Sequence, residues 1–242
     1  MKKKVALILS IVISFFLIYG IFYADMISEI TSDETVVIVK NTTRSMTLEV
    51  PAVSAEGEGI MVDINVELKP GSGKTLVNID QILFWTDTQD SIRVAKSVAE
   101  NVTGIDMSEY DVIYSIGTDA EAIEGPSAGA AMAIATSLLL ENSTLNTSVS
   151  VTGALEQDGT ITGVGGILEK ATAIKNNNMT LFLVPRGQKI YTERKKEKEC
   201  HDSSFGLSCH LVTREYTINV EEETGMNVVE VENIKEALIY FR

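Results

Sequence analysis

The sequence predicts a mixed α/β domain, α+β in the order of its elements, preceded by one N-terminal transmembrane helix. Three observations carry that prediction. Strand-period and helix-period segments alternate from about residue 46 to the C-terminus, no internal repeat is visible, and one uncharged run of 20 residues stands near the N-terminus.

That run, residues 5–24, reads VALILSIVISFFLIYGIFYA and follows Lys2, Lys3 and Lys4. As a helix rising 1.5 Å per residue it is about 30 Å long, the thickness of a bilayer core. A cleavable signal has a shorter apolar region of about 7–15 residues and small residues before the cut, whereas here Phe22 precedes Ala24. Residues 1–24 are therefore read as a retained signal anchor. Lysines on one flank against Asp25 and Glu29 on the other set the N-terminus in the cytoplasm. Everything after Ala24 in this single-pass cell-membrane protein would then lie outside the cytoplasm. Five Asn-x-Ser/Thr triplets, at Asn41, Asn101, Asn142, Asn146 and Asn178, agree with an exterior domain. Without residues 1–24 the chain carries 17 basic against 34 acidic side chains, a net charge of −17. Such a domain repels phosphate backbones, which excludes nucleic acid as a partner class.

Residues 25–45 are polar apart from TVVIV at 35–39 and read as a tether leading into a first strand; residues 46–242 form one domain. Strand period marks 60–68 and 75–85, and KPGSGK between them suits a hairpin turn. A helix follows at 90–102, with Asp90 as its cap and Ile92, Ala95, Val98, Ala99 and Val102 as its stripe. Residues 111–117 read as a strand, 127–140 as a buried helix, 148–153 as a strand, 166–175 as a helix and 180–185 as a buried strand. A charged insert at about 186–214 breaks the pattern, and 227–241 closes it with a strand and a helix.

GSGKT at 71–75 lacks the first glycine of a phosphate loop, since Leu68 stands five before Gly73, and it joins two strands. It is read as a turn, and no cofactor is expected. Cys200 and Cys209, nine apart, suit a local disulfide beside two exposed histidines, His201 and His210, better than any common zinc spacing, so no metal is expected.

EGPSAG at 124–129 offers Ser127 as a nucleophile in a turn of small residues, with no usable histidine as its base. A lysine serves where burial lowers its pKa from about 10.4 toward neutrality. Lys170, after GVGGILE and beside Ile167, Ala171, Ala173 and Ile174, has such neighbours, although an ordinary solvated lysine fits the same composition.

EGPSAG, then VTGALEQDGTITGVGGILEK, then LFLVP together resemble the proteolytic domain of Lon proteases over roughly residues 48–242, with the Cys-bearing insert least similar. The separations, 43 positions from Ser127 to Lys170 and 25 from Ser127 to Thr152, are those the family leads one to expect. The resemblance implies a Ser127–Lys170 dyad. It implies that Thr152 directs the lysine amine, that Gly125 and Pro126 shape the turn so that Ser127 begins a helix favouring an oxyanion, and that Glu124 orients the lysine or the turn. GVGG departs from the family, which more often has a proline before the paired glycines. Full-length family members carry an AAA+ ATPase module, and the residues before this domain have no room for one. The expectation is a membrane-anchored serine endopeptidase acting on unfolded or flexible polypeptides without its own ATPase, with a homo-oligomeric ring compatible with the family. Two alternatives stay open: a catalytically silent peptide-binding module of the same fold, and a cytoplasm-facing peptidase fed by a separate ATPase.

Overall fold

A computed structural model describes residues 42–78, 83–84, 86–117, 122–123, 125–203 and 206–242. The membrane span read at 5–24, the strand read at 35–39, and Glu124 lie outside the described residues. Among the described residues no helix is long and apolar enough to cross a membrane.

The chain runs β1 (Arg44–Val53), β2 (Gly59–Pro70), β3 (Thr75–Val77), β4 (Leu83–Phe84), α1 (Thr86–Thr103), β5 (Tyr110–Gly117), β6 (Ala122–Ile123) and α2 (Gly129–Glu141). It continues through β7 (Val149–Val151), β8 (Ala154–Leu155), β9 (Ile161–Thr162), α3 (Ile167–Asn176) and β10 (Leu181–Pro185). A long ribbon, β11 (Ile190–Ser203) and β12 (Gly206–Asn219), precedes α4 (Val220–Thr224), β13 (Val228–Val231) and α5 (Ile234–Phe241).

Two sheets frame the site. The first has strand order β1-β2-β5-β3 and the second, all parallel, β13-β10-β7. Helix α2 is buried from Gly129 through Leu140, as its small and apolar composition demands, and forms the centre of the main core. On α3, Ile167, Ala171 and Ile174 enter a second core with Phe182, Val184 and Val228.

Two expectations need correction. Strands β2 and β3 do not pair as a hairpin, because β5 lies between them, antiparallel to β2 and parallel to β3. The intervening turn is held by β5 instead: Ser72 N and Lys74 N both donate to Asp111 Oδ1 at 2.8 Å, and Gly71 N donates to Glu109 O. Those amide bonds hold the carboxyl of Asp111 below its usual pKa. The turn amides therefore already bind a carboxylate, which opposes phosphate at the same place. The second correction is at α1, which begins four residues before Asp90. Thr88 and Ser91 extend its buried stripe, and Ser91 Oγ donates to Asp87 O at 2.9 Å. Asp90 is an exposed residue of the helix, ion-paired with Arg93. Small polar residues in buried positions concealed that first turn from a hydrophobic count.

Candidate active site

The turn that carries Ser127 is built from its glycine outward. Gly125 has φ +94°, a conformation that L side chains rarely adopt, and nothing else crowds it. Pro126 then opens a single 3₁₀ turn, Pro126–Ala128, and Ser127 sits half-buried in the middle of it. Ser127 thus lies in a 3₁₀ turn just before α2, which starts at Gly129, two residues after the helix start read from sequence at Ser127. One amide of the first helical turn is already engaged, since Ala130 N donates to Gly153 O at 3.2 Å. The reciprocal bond, Gly153 N to Ser127 O at 3.0 Å, stitches the serine turn to the end of β7.

Thr152 occupies that strand end and is 1% exposed. Its hydroxyl donates to Ser127 O at 3.4 Å, which leaves Oγ1 as an acceptor toward the other side. Lys170 Nζ donates to it there, at 3.1 Å. A chain of hydrogen bonds therefore runs from the lysine amine through Thr152 to the backbone of the serine.

Lys170 is 3% exposed, the one charged side chain among the buried described residues. It occupies the i+3 position of the stripe Ile167, Lys170, Ala171, Ile174, so the amphipathic logic that buries α3 buries it too. Desolvation pulls its pKa down to about 8, opposed by the negative charge of neighbouring Glu169. Close packing fixes the helix: a Cβ on Gly59 of β2 would lie 2.0 Å from the carbonyl oxygen of Glu169.

Ser127 and Lys170 line one cleft of about 1120 Å³. Gly125 and Pro126 line it as well, with Val50, Ala52, Ile60 and Val62 from β1 and β2 on one side. The glycine segment 163–166 also lines it and forms a lip beside the end of β1, where a Cβ on Gly166 would lie 2.4 Å from Val53 Cγ2. Gln188, which the sequence reading did not single out, clamps that lip: Val164 N donates to its Oε1 at 3.0 Å and its Nε2 donates to Val164 O at 2.7 Å. Nothing in the local sequence marks Gln188, because its partner lies 24 residues away. Gly59 was missed for the same reason.

Of the residues singled out in the sequence, Ser127, Lys170, Thr152, Gly125 and Pro126 thus gather at one cleft. Cys200 and Cys209 are joined as a disulfide in the β11–β12 ribbon, at directly opposed positions.

The comparison with known proteins meets this geometry at the same residues. The sequence model of the Lon protease (S16) C-terminal proteolytic domain matches residues 52–198, a stretch that contains the whole serine turn, Thr152, Lys170 and the glycine lip. The chain is 32% identical over 133 residues to the archaeal Lon protease of Thermoplasma volcanium, covering 54% of this chain and 20% of that protein. It is 29% identical over 140 residues to the archaeal Lon protease of Archaeoglobus fulgidus (56% and 22%). It is 27% identical over 158 residues to Lon protease 1 of Bacillus subtilis (63% and 20%). The matched part is about a fifth of the length of these relatives. Because the family's match spans well over half of the chain and encloses the cleft's polar residues in order, this chain belongs to the Lon protease (S16) C-terminal proteolytic domain family.

Proposed function

We propose that the protein is a serine endopeptidase in which Ser127 is the nucleophile and Lys170 its general base. The observation that supports this most strongly is the lysine: buried, on the apolar stripe of its helix, aimed by Thr152, and lining the same cleft as Ser127. With a pKa near 8 a substantial fraction of the amine is neutral at mildly alkaline pH, as a general base requires. Ser127 Oγ attacks the peptide carbonyl while its proton passes to Lys170 Nζ. The C–N bond then breaks and the same proton goes to the leaving amine, giving an acyl-serine that water, deprotonated by Lys170, hydrolyses. Thr152 fixes the direction of the amine and leaves its charge to the cleft.

The cleft, about 1120 Å³ and lined along β1 and β2, has room for a polypeptide segment. Its apolar wall of Val50, Ala52, Ile60 and Val62 favours apolar side chains near the cut bond. Unfolded or flexible polypeptide is the substrate class that presents such side chains. Cleavage without added nucleotide is part of this reading, and the amides of the glycine turn at 71–75 favour it by donating to Asp111, which leaves them unavailable to a phosphate. The anchor read at residues 5–24 and a disulfide in the exposed ribbon support a membrane-bound protein facing an oxidising, extracytoplasmic space. A homo-oligomeric ring completes the reading and is tested by the mass of the purified chain in solution.

The test is digestion of casein by the full-length chain with and without ATP. Ser127→Ala and Lys170→Ala should each reduce cleavage at least about 10²-fold, the usual range for general-base loss. Full activity in either variant would contradict the dyad, and peptide binding with no turnover by the parent would favour a silent binding module.

A further inference from the structure

The chain has only two histidines, and both stand on one face of the β11–β12 ribbon near its tip. Glu199 is opposite His210 in the ladder, and His201 is two residues further along the strand from Glu199, so the three side chains share a face with His201 and His210 on a diagonal. Their imidazole rings are stacked, with centroids 5.5 Å apart and planes at 26°. One ligand atom from each of Glu199, His201 and His210 lies within 4.8 Å of the others. None of these residues belongs to the cleft.

We infer that this ribbon tip binds one borderline transition-metal dication of the zinc class, through a ring nitrogen of each histidine and Oε2 of Glu199. Two imidazoles and one carboxylate form a ligand set that zinc accepts, with a fourth position left for water. Bonds of about 2.0–2.2 Å in a tetrahedron require ligand atoms about 3.3 Å apart. With the ligand atoms already within 4.8 Å of one another, the side chains must close by at most about 1.5 Å, a small torsional adjustment for side chains at the surface.

Two neighbours prepare the site. The Cys200–Cys209 disulfide lies in the ladder between the Glu199–His210 pair and the position of His201, and it pins the register that sets the histidines beside each other. Arg214 engages Glu199 through Oε1, whereas Oε2 is the oxygen that faces His210 Nε2, at 3.9 Å. The guanidinium can thus orient the carboxylate from behind while the second oxygen meets the metal, the arrangement by which outer partners position metal ligands. Hard cations such as Mg²⁺, which prefer an all-oxygen octahedron, do not suit this set.

The experiment is titration of the untagged, oxidised full-length chain with ZnCl₂. Heat and the histidine ring resonances in ¹H–¹³C NMR spectra are both read. The expected result is one Zn²⁺ per chain, with both ring resonances shifting together and saturating, and no shift with MgCl₂. His201→Ala and His210→Ala should each weaken binding at least about tenfold, and Glu199→Gln should weaken it measurably. Ring resonances that stay in place at millimolar Zn²⁺, a shift of one ring alone, or undiminished affinity in the double histidine variant would overturn the site.

Discussion

At the scale of single residues, the site turns on a lysine placed where an aliphatic side chain would ordinarily sit. Burial of Lys170 opposes its charged form, so the same feature that suits it to the proposed role of base costs stability. The sign follows from the lowered pKa. The folded state holds its proton less tightly than the unfolded chain, so the contribution of Lys170 to stability rises with pH between about 8 and the ordinary lysine value and falls as pH drops through about 8. Lys170→Met should therefore unfold at a temperature equal to or above that of the parent at pH 7, with the gap closing as pH is raised toward 10, while cleavage is lost. Thermal melts at several pH values check this. For the parent, kcat/KM should climb through an apparent pKa of about 8; a profile already flat at pH 6–7 would show that the base lies elsewhere. Much of this was legible in the sequence, since Ile167, Ala171 and Ile174 already mark the stripe that includes position 170. The link from Lys170 through Thr152 to the carbonyl of Ser127 was not legible as geometry, because it depends on where β7 ends against the serine turn.

At the scale of elements, the cleft depends on how closely α3 lies on β2 and how firmly the glycine lip is held. Gly59→Ala puts a methyl group 2.0 Å from a backbone oxygen that cannot turn aside. It should cost about 1–3 kcal/mol and lower kcat by moving the helix that carries Lys170. Urea unfolding and steady-state kinetics read the two effects. Gln188→Ala removes both bonds to Val164, and a loosened lip should raise KM more than it lowers kcat. Helices α2, α3 and α5 and strands β5 and β10 were readable from period because one or more of their faces meet the core. The β11–β12 ribbon was not, since most of its mid-strand side chains are exposed and carry no apolar alternation to betray a strand; at its base Tyr191 packs against the second core and Ile218 is buried. The false hairpin around KPGSGK has a related cause. Local turn chemistry was correct, but pairing with β5, far along the chain, decided where β3 lies.

At the scale of the molecule, the acidic domain keeps its apolar mass in two cores and leaves the ribbon to its own cross-strand ties. A disulfide closing so short a loop stabilises that loop by about 2–3 kcal/mol in the chain-entropy account. Its removal in Cys200→Ser/Cys209→Ser should leave the main thermal transition nearly unmoved while the ribbon exchanges its amide hydrogens faster. The same cysteines report topology. On intact cells, an impermeant maleimide should label them only after reduction if the domain faces outward; labelling that requires permeabilised cells would place it on the cytoplasmic side. Fold class and the polar residues of the cleft could be read from sequence because they recur as short ordered motifs, whereas the lip clamp and the helix contact arise only when distant segments meet.

The central claim, a serine acylated with the help of a buried lysine, is tested most directly by trapping the acyl-enzyme. The full-length chain is mixed with an activated ester of an apolar peptide, quenched in acid after a single turnover, and mapped by mass spectrometry. The expected result is one acyl group on Ser127 in the parent and acylation slowed about 10²–10⁴-fold in Lys170→Met. An acyl group on another residue, or acylation of Ser127 at an unchanged rate in the lysine variant, would contradict it.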